Sequence, residues 1–349
     1  MCNIAGYIGD KQAAPILIEM LSKQEYYDGG YSTGIGTIHE GKLYWKRVLG
    51  NTKDFLEQVD LNEFPGTIGI AHSRPSNSFL LHSHPYISMN ERIAMCSNGT
   101  TPQNEELAAK RDKIVQDLYD KGYRFYTQFE AETSHFPKLR EGVYISALEV
   151  VANLCQEYIK NGCDPIEAQV KALDDMYSER VGCMINADDP TYIGVCRLSR
   201  PMEILMGKGE SYIATTRFAL PDDVEGDMFS LPVQHGCKVT KGGFSVLPYK
   251  ARTDTVAEIT PATYIKAYDI IEKMLLDADK DHPVIYDDIE LKMSRTPELW
   301  SEKHLISQYA KVGYDILWQI HNEGRLKSFI APQTKPNGTR YLANMYIEK

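Results

Sequence analysis

No stretch of this 349-residue chain is apolar over the ~20 residues that a membrane-spanning helix needs. Its start has neither a basic cluster nor a hydrophobic signal core, so nothing there directs secretion. A nucleotide-binding glycine loop is missing. His82 and His84 stand close together, but no acidic or cysteine ligand lies at metal spacing from them. No cofactor and no metal is therefore expected. None of the seven cysteines (2, 96, 155, 163, 183, 196 and 237) forms a CxxC pair. An odd, scattered set without an export signal suggests reduced thiols and a cytoplasmic protein. Positive charge is also in deficit: a net charge of −10 argues against nucleic acid or an anionic membrane as partner. Internal repeats and low-complexity segments are absent.

What is present is a chain long enough for two domains, or for one large domain with an appendage. It opens Met1-Cys2-Asn3-Ile4-Ala5-Gly6-Tyr7-Ile8-Gly9. Removal of the methionine would put a thiol and a free α-amine on one residue. Such an amine titrates near ~8 and can serve as a local base for the nucleophile beside it. Taken alone, Cys2 reads as an incidental residue at a frayed end; the motifs that follow reverse that preference. Ile4, Tyr7 and Ile8 among small residues read as a buried strand behind it.

Further on, apolar spacing predicts a helix over 13–25, with Pro15 in its first turn, then a glycine-dense turn over 27–36 leading into a strand that continues as 36–38 and forms a hairpin with 43–45. Residues 67–74 read as a buried strand ending at Arg74, whose planar fork suits a carboxylate. Alone, Arg74 reads as a surface or ion-pair arginine rather than a substrate ligand. Residues 92–98 form another apolar strand, ending in Asn98-Gly99. The Asn amide beside a Gly N–H gives two donors able to face one oxygen, as an oxyanion hole requires. The same dipeptide is also the commonest short turn. A surface helix is expected over 103–121, then an aromatic strand (Tyr123, Phe125, Tyr126) leading to Glu130 and Glu132. Helices are predicted over 146–160 and 165–176. Strands over 181–186, 191–197, 203–207 and 211–215 read as one antiparallel meander, and a last strand pair flanks Lys241-Gly242-Gly243.

Together these pieces resemble a class II (N-terminal nucleophile) glutamine amidotransferase domain, such as the glutaminase half of the enzymes that make glucosamine 6-phosphate. The resemblance rests on seven pieces in the family's order: Cys2-Asn3-Ile4-Ala5-Gly6, Ser32-Thr33-Gly34-Ile35, Gly69-Ile70-Ala71-His72-Ser73-Arg74, Ser83-His84-Pro85-Tyr86, Ser97-Asn98-Gly99, Glu130-Ala131-Glu132-Thr133, and Tyr212 through Leu220. It covers roughly residues 2–248. It implies an α+β, four-layer αββα fold with Cys2 at the end of a central strand. It also implies that Cys2 attacks the glutamine side-chain amide, releasing ammonia through a glutamyl thioester, with Asn98 and Gly99 holding the oxyanion. By the same resemblance Arg74 and Glu132 grip the substrate's carboxylate and ammonium, with Ser73 and His84 lining the site. The chain departs from the family pattern at Glu132 (one methylene longer than the usual aspartate), Pro75, Asn77-Ser78, Asp28, Tyr31 and Thr215-Thr216. Two other readings stay open: an amidase acting on another amide or γ-glutamyl compound, and a non-catalytic glutamine sensor.

The texture changes near 249–259, which divides the chain into a domain over 1–250 and a module over 251–349. The second is too short for the sugar-isomerase domains of the family enzyme. Helices are expected over 260–278, 287–293, 298–301 and 303–323, then a hairpin formed by 324–330 and 340–342. Helices followed by a two-stranded wing resemble a winged helix. With 13 Lys and Arg against 15 Asp and Glu in this stretch, DNA binding is disfavoured. A protein-contact or dimerisation role is the more economical expectation, and an ammonia-accepting partner chain is implied.

Overall fold

The computed structural model describes residues 2–27, 29–74, 80–99, 105–132, 134–176, 181–248, 256–301, 303–304, 308–334 and 340–348. The chain begins with β1 (Asn3–Ile8), α1 (Ala13–Gln24), β2 (Ser32–His39) and β3 (Lys42–Leu49). Next come α2 (Thr52–Gln58), β4 (Ile68–Arg74), β5 (Tyr86–Ile87), β6 (Ile93–Asn98) and α3 (Glu105–Asp120). Three short strands follow, β7 (Phe129–Glu130), β8 (Lys138–Arg140) and β9 (Val143–Tyr144), then α4 (Ala147–Lys160) and α5 (Pro165–Asp175). The strands β10 (Val181–Asn186), β11 (Ile193–Arg197), β12 (Glu203–Gly207) and β13 (Glu210–Ala214) precede β14 (Gly226–Ser230), β15 (His235–Thr240) and β16 (Gly243–Pro248). The remainder is α6 (Pro261–Leu276), β17 (Val284–Ile285), α7 (Tyr286–Ser294), α8 (Gln308–Asn322), β18 (Leu326–Thr334) and β19 (Arg340–Glu348).

Two sheets stack face to face. The first has the order β14-β12-β13-β1-β4-β2-β3 and the second β16-β15-β11-β10-β6-β5. Alternation along β1 shows why they meet: Ile4 and Ile8 point to the second sheet, while Ala5 and Tyr7 point to the helix on the other side. The shared core takes Ile4, Ile70 and Ile213 from one sheet and Cys96, Cys183, Ile185 and Val195 from the other. Leu17, Ile18 and Leu21 of α1, with Phe55 of α2, cover the outer face of the first sheet. Leu148, Val151 and Leu154 of α4, with Ile166 and Leu173 of α5, cover the second. The result is the four-layer αββα arrangement, with β1 in the middle of its sheet.

The structure corrects three sequence expectations. The strands over 181–214 are not one meander: β10 and β11 lie in the second sheet, β12 and β13 in the first. The crossing is held by the buried Arg197 guanidinium, which donates to the carbonyls of Ser199 (3.2 Å), Arg200 (2.7 Å) and Leu231. The aromatic stretch 123–126 is not a strand. The N–H groups of Tyr126 and Thr127 are taken by the buried Glu149 carboxylate (2.7 and 3.0 Å), so no ladder partner is needed. The helix expected over 298–301 is a single 3-10 turn, Pro297–Leu299. A short helix, α2, carries no strong periodicity and is set instead by a capping box between Asn51 and Asp54.

After β16 the chain builds a separate small core around Ala267, Ile271, Leu275, Tyr286, Ile289, Leu317 and Tyr346. Its order, helix–strand–helix–helix–strand–strand, with the sheet β17-β19-β18, is that of a winged helix. Tyr27 of the larger domain is inserted into this core, stacked on Phe218 at 5.0 Å and near Tyr314 and Tyr346. A buried charge cluster closes the same junction. Lys311 of α8 reaches Glu203 of β12 (2.9 Å) and Asp315 (2.7 Å), and Arg217 reaches Glu203 (3.2 Å). Burial alone would push the Glu203 carboxyl up; the Lys311 ammonium and Arg217 guanidinium reverse this and hold it below its usual range. Removing one partner of a buried pair leaves an uncompensated charge. Lys311→Met is therefore expected to cost about 3 kcal/mol in urea unfolding, with most of it recovered in the Lys311→Met/Glu203→Leu double variant. An unchanged midpoint would show that Arg217 alone neutralises Glu203.

Candidate active site

Cys2 is half-buried at the head of β1, and its main chain is held by side chains from two other elements. Asn98, the last residue of β6, donates from its side-chain amide to the Cys2 carbonyl at 3.0 Å. Thr215 lies just past β13; its hydroxyl accepts from the Ile4 N–H (2.9 Å) and donates to the Cys2 carbonyl (3.4 Å). Behind them Asn3 donates to the Gln24 carbonyl (2.7 Å), and Gln24 donates to the Ile4 carbonyl (3.2 Å). Thr215 was visible in the sequence only as a departure from the family's serine. Gln24 gave no signal beyond its place at the end of a helix.

The geometry brings Asn98 to Cys2, but onto the Cys2 carbonyl. An asparagine amide carries two hydrogens, and the second has no acceptor among the described residues. Gly99 follows with φ +140°, a conformation that favours glycine and turns the chain sharply out of β6. Cys96 lies close beneath. Burial pushes its thiol well up, and neighbouring Cys183 and Cys2 add to this, so it is a neutral core side chain.

Ser73 is buried, and its hydroxyl accepts from the Gly30 N–H at 2.7 Å. A Cβ on Gly29 would sit 2.6 Å from Asn3 Nδ2 and 2.7 Å from Ser73 Oγ, so only glycine lets this turn close over the site. Ser73 thus fixes the turn. Arg74 donates from Nη1 to the His82 carbonyl, and its other N–H groups have no acceptor among the described residues. His82 stacks on Phe136 (4.9 Å) and meets Phe129 edge-on (5.0 Å), tying Arg74 to the segment that carries Glu132. Glu132 is exposed, and its carboxylate has no ion-pair partner among the described residues. His84 is buried; its Nδ1 accepts from the Ser97 N–H (3.0 Å) and its ring stacks on His72 (3.8 Å). Met1, Asp28, the loop 75–79, residues 100–104 and Thr133, several of them marked as departures or motif positions, lie outside the described residues. Among the described residues no three His, Cys, Asp or Glu side chains gather as a metal-ligand set, and no helix is long and apolar enough to cross a membrane.

Burial, and to a smaller extent the nearby Arg74 charge, lowers His72 from 6.5 to about 3. A histidine that stays neutral in the fold is protonated first in the unfolded chain. Stability is therefore full above ~6.5 and falls as the pH drops from there toward 3. At pH 5 His72 alone should account for a loss of about 2 kcal/mol relative to pH 7. Urea unfolding of His72→Gln at the two pH values should show a smaller difference than the parent by that amount; an equal difference would mean that His72 does not carry the acid sensitivity.

No family model matches the chain. The chain is similar to curated glutamine–fructose-6-phosphate aminotransferases (isomerizing). It is 34% identical over 223 residues to that of Caldanaerobacter subterraneus subsp. tengcongensis, covering 62% of this chain and 31% of that enzyme. Against the Pyrococcus horikoshii enzyme it is 28% identical over 223 residues, covering 62% and 32%. The chain thus spans about a third of the length of the relatives it matches, through its N-terminal part. Among solved structures, glutamine phosphoribosylpyrophosphate amidotransferase from B. subtilis aligns with a TM-score of 0.57 at 18% identity, over 73% of this chain and 50% of that one. The allosteric regulatory enzyme of purine biosynthesis aligns at 0.58 and 16%, over 80% and 59%. These structures share the fold, the N-terminal-nucleophile hydrolase sandwich. The N-terminal part of the chain is thus similar in sequence to glutamine–fructose-6-phosphate aminotransferases and similar in fold to glutamine amidotransferases of known structure.

Proposed function

We propose that the N-terminal domain hydrolyses glutamine and hands on the ammonia. Cys2, freed of Met1, is the nucleophile. Its α-amine takes the thiol proton as sulfur bonds to the side-chain carbonyl carbon. That proton leaves with the amide nitrogen as ammonia, and water cleaves the glutamyl thioester to glutamate and the free thiol. Asn98, with its second amide hydrogen, and the Gly99 N–H stabilise the oxyanion of both steps. Arg74 binds the substrate α-carboxylate and Glu132 its α-ammonium; Ser73 and His84 shape the wall between them. This chemistry calls for no cofactor. The observation that supports it most is the Asn98 amide on Cys2, which joins nucleophile and oxyanion donor at the mouth of the sandwich.

The reading stops at ammonia release, since the chain matches 31% of the length of the relative that carries the amino-sugar name. The ammonia goes to a separate acceptor, bound by a partner chain or by a second copy of this one, in the cytoplasm.

Intact mass with and without diazo-oxo-norleucine tests the nucleophile: the protein should lack Met1 and gain one adduct at Cys2. Cys2→Ser should abolish ammonia release from glutamine, and Asn98→Ala should lower kcat by about 10²–10³ with Cys2 still alkylated. A retained methionine in active protein would sink the proposal. Release from another γ-glutamyl amide but not from glutamine would move the substrate, and leave the nucleophile in place.

A further inference from the structure

We propose that His72 and His84 act as a pair of positioning residues that hold the oxyanion corner in register with Cys2. The inference rests on the glutaminase reading above and concerns residues that touch no reacting atom.

The problem they solve is geometric. Cys2 hangs from β1 in one sheet, while Asn98 and Gly99 end β6 in the other, so their separation depends on how the two sheets sit. On one edge β6 is paired along its whole length with β10, from Ile93 to Asn98. On the other edge β5 is only two residues long and pairs with Met95 and Ala94 alone. The Ile93 carbonyl accepts from Ser88 on this side, and alternation turns the N–H and C=O of Ser97 the same way. At Ser97, one residue before the oxyanion donors, the strand that should pair with them has run out.

Two imidazoles replace it. His84 Nδ1 accepts from the Ser97 N–H at 3.0 Å, and His72 Nε2 meets the Ser97 carbonyl at 3.2 Å. A backbone N–H can only donate and a carbonyl can only accept. His84 therefore has its lone pair on Nδ1, and His72 carries its proton on Nε2. The rings are stacked at 3.8 Å and 18°, so each limits the other's rotation. Their origins differ. His84 comes from the segment leading into β5, whereas His72 belongs to β4, where it is the register partner of Ile4 in β1. Through His72 the sheet that carries Cys2 grips the strand that carries Asn98. The buried Nδ1 of His72 has no partner among the described residues, so the ring is held there for its other nitrogen.

The experiment compares shape-keeping and bond-breaking variants. His84→Asn places an amide oxygen where Nδ1 sits, and His72→Gln places an amide nitrogen where Nε2 sits. His84→Leu and His72→Leu remove the bonds. The leucine variants should lower kcat for glutamine hydrolysis about 10²-fold, as expected for a misplaced catalytic group, with the KM of His72→Leu within about threefold of the parent. Alkylation of Cys2 by iodoacetate, which needs no oxyanion donor, should keep its rate. The amide variants should regain at least about tenfold of the loss. Leucine variants within about twofold of the parent, or alkylation falling in step with kcat, would overturn the proposal. Hydrogen exchange at the Ser97 and Gly99 amides reads the pair without turnover and should rise at least about tenfold in the leucine variants. Unchanged exchange would overturn the pairing whatever the substrate is. A parent that releases no ammonia from glutamine, but shows the exchange difference, sinks the functional reading and keeps the pair.

Discussion

The hydrogen bond from the Asn98 amide to the Cys2 carbonyl depends on everything else in the domain being where it is. It joins the ends of two strands that share no ladder, so no backbone pairing sets its length. Apolar contact between the two sheets sets it instead. Branched residues of β1 and β4 interlock with Cys96, Cys183, Ile185 and Val195 opposite, and a close-packed interface of this kind has little freedom to slide. Burial provides the force but is non-directional. Direction comes from polar groups at the rim: Thr215 on Cys2 and Ile4, Gln24 and Asn3 on each other's turns, and the two imidazoles on Ser97.

Those rim groups are costly to bury, and each has a bond in return. Arg197 shows the same logic away from the site, where its guanidinium satisfies three carbonyls left over as the chain passes from one sheet to the other. Glu149 does so for Tyr126 and Thr127. In both cases a charged side chain replaces a strand partner, and neither residue is marked out by its neighbours in the chain. A lone Arg or Glu reads as surface until the fold shows which backbone groups it faces.

What was legible in the sequence follows the same division. Strands and helices were found where periodicity or capping is local: α1 and α4 by their apolar spacing, α6 by Thr260 with Pro261, and the hairpins by their glycine turns. The sandwich, and the place of Cys2 at the head of a central strand, came from ordered motifs, not from patterning. Strands buried on both faces, such as Gly182-Cys183-Met184-Ile185, read as continuous apolar runs and say nothing about which sheet takes them. That is why β10 through β13 looked like one meander. At the site, Asn98 and Gly99 could be proposed as oxyanion donors because that chemistry would lie in their own side chain and backbone. The work of Thr215, Gln24 and His72 could not, because it consists of bonds to residues from 20 to more than 200 positions away.

The C-terminal module makes the same point from outside the sandwich. Its element order is that of a winged helix, yet α8, the helix such modules lay in a DNA groove, presents Lys311 to Glu203 of the larger domain. A cation committed to a buried carboxylate is not free for a phosphate, which agrees with the module's slight excess of acid. The wing is also occupied: the Asn344 N–H donates to the Tyr26 carbonyl (3.0 Å), and the Leu342 N–H to the Tyr31 hydroxyl (2.7 Å). Between these two anchors lies Tyr27, sunk in the module's core, and beyond it the Gly29–Gly30 turn that rests on Asn3 and Ser73. The segment that closes over the N-terminal strand is thus gripped from behind by residues more than 300 positions further along. Its placement depends on contacts from both parts of the chain, and neither the family motifs nor the composition of the last hundred residues could have indicated them.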